Sequence, residues 1–204
     1  MRYLTKLKLS PITHLADARF AAASGIDYMG FCFDAASPDF IAPIKAKEII
    51  EWTSGSHTIA EFGNQSLQEI IEISELLNMD AVALNNQILP DELMLIGKPI
   101  MKIIDCTDLN LSAIEIEFDA YAPFAEAFIL SGNLDFNNNK EWLIKICSAH
   151  KIIWALRVEP TQIKEIIKDF KPFAINLKAG TEEKTGLKDF DELYDVLEAI
   201  EVNR

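Results

Sequence analysis

The sequence predicts an α/β fold, a single (β/α)8 barrel, and three observations predict it. Eight short apolar runs alternate with longer stretches of helical periodicity. The apolar runs are mostly unbroken rather than alternating, as in strands buried on both faces. The 204 residues carry no low-complexity linker and no composition break, so residues 1–204 read as one domain. A doubly wound open sheet is the rival, but it usually holds fewer strands at this length.

The strand candidates, in order, are residues 3–9, 28–33, 58–62, 81–84, 100–104, 127–130, 152–156 and 173–177. After the first, residues 14–24 place Leu15, Ala18, Ala21 and Ala22 on one helical stripe, with Gly25 as a stop signal. A second helix, 45–52, opens just after Pro43. The third, 66–77, starts with Ser66 as N-cap and Glu69 three residues on, a capping box. Its Ile70, Ile71, Ile73, Leu76 and Leu77 form a broad apolar face. Residues 90–96 and 108–116 are weaker helical stretches, whereas 139–149, 161–170 and 190–200 are clearly amphipathic. Strand followed by helix, eight times over, means βαβ units and a parallel sheet. A barrel of this kind collects its functional groups at the C-terminal ends of its strands.

Composition excludes several classes. The net charge is −13 with no basic run, a poor match to nucleic acid, whose phosphates need clustered Lys and Arg. The same charge disfavours anionic membrane surfaces. No stretch of about 18 apolar residues is present to span a bilayer. Residues 1–8 lack the long apolar core and small-residue cleavage site of a signal peptide, so a cytoplasmic location is expected. Cys32, Cys106 and Cys147 are far apart and odd in number, which points to reduced thiols. His14, His57 and His150 have no zinc-ligand spacing, and no metal or cofactor is implied.

Short matches along nearly the whole chain carry a resemblance. They are Lys8-Leu9-Ser10-Pro11-Ile12-Thr13 with Asp17-Ala18, then Gly25-Ile26-Asp27, Gly30-Phe31-Cys32-Phe33 and Ser37-Pro38-Asp39-Phe40-Ile41-Ala42-Pro43. Ala60-Glu61-Phe62-Gly63-Asn64, Gly180-Thr181-Glu182 and Gly186-Leu187-Lys188-Asp189 follow in the same order. The chain resembles the phosphoribosylanthranilate isomerases, TIM barrels of tryptophan synthesis. The resemblance implies an aldose–ketose (Amadori) isomerisation by acid–base chemistry without a cofactor, and a monomer or homodimer.

The departures fall on the chemistry. The family's general base is a Cys on the first strand, and its position here is Ser10. Its general acid is an Asp ending the sixth strand, and the matching run is Ile129-Leu130-Ser131. A serine hydroxyl is a very weak acid and a poor base near neutrality, and a lost acid or base typically costs about 10²–10⁴ in rate. The family's substrate-binding Arg matches Asp39, a charge reversal. Its Gly-Gly phosphate turn matches Leu156-Arg157, where side chains obstruct the close approach that glycine backbone allows. Its glycine-rich stretch after strand six reads Gly132-Asn133-Leu134-Asp135-Phe136, and its Gln-Leu-His-Gly reads Ala83-Leu84-Asn85-Asn86. The surviving matches are mostly scaffold positions.

Each candidate has a plainer reading beside the functional one. Ser10 and Ser131 are either pocket-lining remnants of the catalytic positions or satisfied hydroxyls at strand ends. Arg157 and Lys178, with Ala179 and Gly180, end strands seven and eight, where barrels commonly bind phosphate. Two cationic side chains there can replace an anion site of backbone amides, and a guanidinium suits phosphate by its fork. The plainer reading is a surface ion pair with Glu159 or Glu182. Asp34, Asp39, Glu61 and Asp105 are expected to be solvated or capping. Glu61 stands apart, because the family has an apolar residue there. Cys106 lacks a base nearby in sequence and reads as an inert thiol. His14 and His150 read as helix-end residues, and His57 as a barrel-bottom residue.

The expected function is a phosphoribosylanthranilate isomerase-like barrel without the ancestral isomerisation, keeping or remodelling a site for a small anionic or sugar-phosphate ligand. The alternative is an active isomerase with substitute acid and base groups, Glu61 or Asp34 first among them. A third possibility is a different reaction on another sugar phosphate, for which no motif is present.

Overall fold

In the computed structural model of the chain, residues 2–85, 88–107, 110–179, 182–184 and 187–202 are described, with backbone alone for 182–184 and 187–188. Eight parallel strands close into a barrel: β1 Lys6–Leu9, β2 Tyr28–Cys32, β3 His57–Phe62, β4 Ala81–Leu84, β5 Ile100–Asp105, β6 Ala127–Gly132, β7 Ile152–Leu156 and β8 Ala174–Leu177. Each pairs with the next, and β8 returns to β1 in the register Lys6↔Ala174 through Leu9↔Leu177. The rival open sheet is thereby excluded.

Helices α1 Leu15–Ala23, α2 Pro43–Glu51, α3 Leu67–Leu76, α4 Leu111–Tyr121, α5 Lys140–Ala149, α6 Ile163–Phe170 and α7 Asp191–Ile200 connect the strands. The capping box at Ser66 forms: Ser66 Oγ accepts from the Glu69 N–H, and Glu69 Oε2 accepts from the Ser66 N–H. Between β4 and β5 the expected helix is instead a 3-10 segment, Pro90–Ile96. Its buried residues, Leu93 and Ile96, are three apart, the repeat of the tighter helix, and Gly97 ends it in the left-handed region. A two-stranded antiparallel hairpin, β9 Glu182–Lys184 with β10 Leu187–Lys188, lies between β8 and α7 and has no counterpart in the sequence-based expectation. Among the described residues, no helix is long and apolar enough to cross a membrane.

The strands explain their own apolar runs. One face of each packs under the helices, with Leu7, Leu9, Phe31, Phe62, Leu84, Ile104, Leu130, Trp154 and Leu177 in a continuous core. The other face fills the barrel with Ile59, Ala81, Ala83, Met101, Ala127, Ile129, Ile153 and Ala174. Outside the barrel, Trp154 packs against Phe170 at 5.0 Å between ring centroids, and Phe136 meets both rings edge-on. This interior is apolar on the β3–β7 side. On β1, the alternation Lys6, Lys8, Ser10 departs from that pattern, and this departure builds the site.

Candidate functional site

Lys8 is the key to the local structure. Its side chain is 2 % exposed, and a buried ammonium needs a partner. Glu61 of β3 supplies the charge by an ion pair to its Oε1, and Asn176 Oδ1 of β8 accepts a second hydrogen bond from Lys8 Nζ at 2.8 Å. Ser10, at the end of β1, donates to both Glu61 oxygens, at 2.9 Å to Oε1 and 2.8 Å to Oε2. Three strands therefore meet in one polar cluster. Glu61 reaches β1 across β2 because β2 carries Gly30 between them. A Cβ at residue 30 would stand 2.3 Å from Glu61 Oε1 and 2.8 Å from the Ser10 Cβ. Glu61 keeps 17 % exposure, so the carboxylate lies between the packed interior and the barrel mouth.

The other expected residues sort around this cluster. Ser131 pairs in register with Asp105 at the ends of β6 and β5, and its hydroxyl makes a long 3.4 Å bond to the Ile104 carbonyl. Asp105 accepts from the Thr107 N–H at 2.8 Å and from its hydroxyl at 2.6 Å. The Asp105 carboxylate lies over Gly132, where φ is +93° and a Cβ would meet it at 2.4 Å. Asp34 accepts from the Ala36 N–H at 3.0 Å in the turn after β2, so Asp34 and Asp105 each close a loop turn two residues on rather than cap a helix. Asp39 sits half-buried in the same loop, its N–H donating to Ser37 Oγ at 3.1 Å. Glu61 is the carboxylate for which the solvated expectation fails.

Arg157 and Lys178 are both exposed and follow the ends of β7 and β8. The Arg157 N–H still bonds the Gly132 carbonyl at 3.3 Å, which holds its backbone against the β6 end. Among the described residues neither cation has an ion-pair partner, so the expected pairing with Glu159 does not form; the Glu182 side chain lies outside them. Ala179 corrects an expectation, because it is 7 % exposed and packs its methyl into the core under the helices rather than at the mouth. Gly180 lies outside the described residues.

Cys106 is buried, in keeping with the inert thiol expected there, whereas Cys32 and Cys147 are half-buried. Burial, helped by the charge of Asp105, pushes Cys106 up to about 12, and burial pushes Cys147 up to about 12. Cys32 pairs with Glu61 in the β2–β3 register; burial raises it too, opposed by hydrogen bonds from Ser37 and the Asp34 backbone. His57 opens β3 at the barrel bottom beside Asp80, at 3.8 Å. His150 ends α5 against the Phe118 and Phe128 rings, and His14 is the N-cap residue of α1. Among the described residues no group of His, Cys, Asp and Glu is arranged to hold a metal ion.

Sequence reasoning missed Lys8 and Asn176. The signal was available as period-2 alternation: Lys6, Lys8 and Ser10 share one face of β1, and Ala174, Asn176 and Lys178 share the facing side of β8.

A closed parallel barrel with a polar cluster at the ends of β1 and β3 defines a (β/α)8 protein whose candidate site lies at the strand C-termini. Comparison with known proteins narrows the class. The chain belongs to the N-(5'-phosphoribosyl)anthranilate (PRA) isomerase family, whose model matches residues 7–199. It is 27 % identical over 205 residues to the N-(5'-phosphoribosyl)anthranilate isomerase of Syntrophus aciditrophicus, covering 97 % of this chain and 87 % of the relative. The fold matches monomers generated from the dimeric phosphoribosylanthranilate isomerase of Thermotoga maritima, with TM-score 0.80 and 22 % identity over 95 % of this chain and 97 % of that one. It also matches a phosphoribosyl anthranilate isomerase in complex with reduced 1-(o-carboxyphenylamino)-1-deoxyribulose 5-phosphate, with TM-score 0.79, 21 % identity and the same coverage.

Proposed function

We propose that the barrel binds a small phosphorylated or otherwise anionic ligand at the β7–β8 side of its mouth and does not run the ancestral PRA isomerisation at the family's rate. The observation that carries this reading is the state of Ser10. The family's base position holds a hydroxyl already committed to the Glu61 carboxylate, 2.9 and 2.8 Å away. At the acid position Ser131 offers a second hydroxyl. Arg157 and Lys178 support the anion site, since both are exposed cations at the strand ends where barrels hold phosphate.

A second reading, an active isomerase with substitute groups, is favoured by one observation. Glu61 points inward and reaches the position of the lost base.

The test is turnover of phosphoribosylanthranilate by purified protein, followed by anthranilate fluorescence. Ser10→Cys with Ser131→Asp runs alongside, with and without Glu61→Val. The proposal expects no wild-type turnover and recovery in a variant that restores the acid and base. Clear wild-type turnover overturns it in favour of the second reading. Binding is read separately, as thermal stabilisation by inorganic phosphate that is lost in Arg157→Ala with Lys178→Ala; stabilisation unchanged in that variant removes the anion site.

A further inference from the structure

We infer that the flank of the barrel formed by α3, the 3-10 segment Pro90–Ile96 and α4 is a docking surface for a protein partner that presents a basic amphipathic helix. The surface lies on the outside of the helix ring, apart from the barrel mouth.

Apolar side chains stand uncovered on this flank. A 3-10 helix has three residues per turn, so residues three apart share one of three faces. Leu93 and Ile96 are buried and seat the segment on the barrel. The other two faces turn Met94 and Leu95 outward, with Leu89 exposed at the head of the segment. The segment packs against α3, and the Tyr121 hydroxyl of α4 donates to the Ile88 carbonyl at 2.8 Å. Leu76 on α3 and Ile116 on α4 are exposed on either side of it. These five side chains range from 60 % exposed at Leu89 to 73 % at Met94. Together they present roughly 600 Å² of apolar surface, the upper end for the largest patch on a monomer and about three-quarters of what one partner buries in a standard interface.

Charge selects the occupant. The three elements carry eight Asp and Glu and no Lys or Arg. Lys145 and Lys102 pair with Glu115 and Glu117. Glu72, Glu75, Asp91, Glu92 and Asp119 are exposed on the same elements as the apolar side chains. Apolar anchors ringed by Lys or Arg complement such a surface. A second copy of this chain does not, because a two-fold contact sets the face against itself and opposes like charges.

Dimension fits a helix. Packed helices lie about 8–10 Å apart, so α3 to α4 across the segment is roughly 20 Å. A helix of about 14 residues has that length, and its anchors, three and four apart, reach all three elements. Met94 is unbranched and adapts its shape to the anchor it meets.

The probe is a fluorescein-labelled 14-residue helix of Leu and Lys with Leu along one face. It is titrated with the full chain and read by anisotropy. One comparison peptide keeps the Leu face and carries Glu for Lys; another keeps the Lys and carries Ser for Leu. The expected result is binding of the Leu–Lys helix alone, at least about 10-fold weaker in Met94→Ser with Leu95→Ser. Binding is unchanged in Trp52→Ser, which removes an equally exposed apolar residue at the end of α2. Circular dichroism checks each fold, and hydrogen exchange shows protection gathered on residues 88–96 and 111–121. Absence of binding overturns the proposal. So does equal binding by the Met94–Leu95 variant or by the Lys–Ser peptide, since the contact is then charge attraction to an acidic chain. Sedimentation of the chain alone tests the other occupant: a dimer that Met94→Ser with Leu95→Ser dissociates assigns the face to a second copy and overturns the basic partner.

Discussion

Replacing Glu61 with Val removes the anion beside Lys8 and leaves Asn176 Oδ1, at 2.8 Å, as the partner of a lysine that is 2 % exposed. Taking one member from a buried ion pair costs about 3–5 kcal/mol, because the remaining charge is desolvated without compensation. Glu61 is 17 % exposed, so water already screens the pair in part, and the lower end, about 3 kcal/mol, applies here. For a chain of this size that lowers Tm by roughly 6–12 °C. Urea unfolding followed by tryptophan fluorescence measures the loss. Lys8→Met is made alone and in combination, to close a double-mutant cycle. The combined variant regains most of the stability, since replacing both members of a buried pair by apolar groups is often close to neutral. The expected coupling is about 2 kcal/mol, within the range for residues in contact. Glu61→Val within about 0.5 kcal/mol of wild type, or strict additivity with Lys8→Met, would refute the reasoning that the pair sustains the barrel interior.

Gly30→Ala drives a methyl against the Glu61 carboxylate and to 2.8 Å from the Ser10 Cβ, and costs about 1–3 kcal/mol, measured by the same unfolding curves. Cys106 and Cys147, pushed to about 12, resist iodoacetamide at pH 8 in the native protein and react after unfolding, which mass spectrometry counts. Their folded-state values lie above the ordinary 9, so the folded chain holds these protons more tightly between 9 and 12. Their contribution is complete below pH 9 and declines above it, and the loss of stability from pH 8 to pH 10 is smaller in Cys106→Ala with Cys147→Ala. Ser66→Ala removes the α3 N-cap and costs about 1 kcal/mol in the urea midpoint.

The barrel was legible in the sequence because its physics is local. An unbroken run such as Ala81–Leu84 has one setting, a strand covered on both faces, and the structure keeps those bounds. Ser66 and Glu69 announce α3 through chemistry confined to four residues. The 90–96 stretch misled because Leu93 and Ile96 satisfy both a helical and a 3-10 spacing, and Pro90 and Gly97 leave little length between them. The cluster at the mouth was legible in part. Glu61 stood out as a carboxylate where the family has an apolar residue, but its meeting with Ser10 spans 51 positions of chain and depends on Gly30 between them. Lys8 escaped notice because it matches the family's motif, and its partner Asn176 is 168 residues away. Asp34 and Asp105 cannot be separated from Glu61 by residue type, since barrel closure decides which carboxylate turns inward.

The hydrogen atom that Gly30 carries in place of a side chain has a wider meaning for how such barrels change. Around a closed ring of strands, a missing side chain on one strand is a window through which the next strand but one can act. A functional group therefore need not be regained at the position where it was lost. It can arrive from a strand two places round the ring, provided the intervening residue stays small. Divergent barrels compared column by column will then seem to have lost chemistry that a comparison by position in space would find moved.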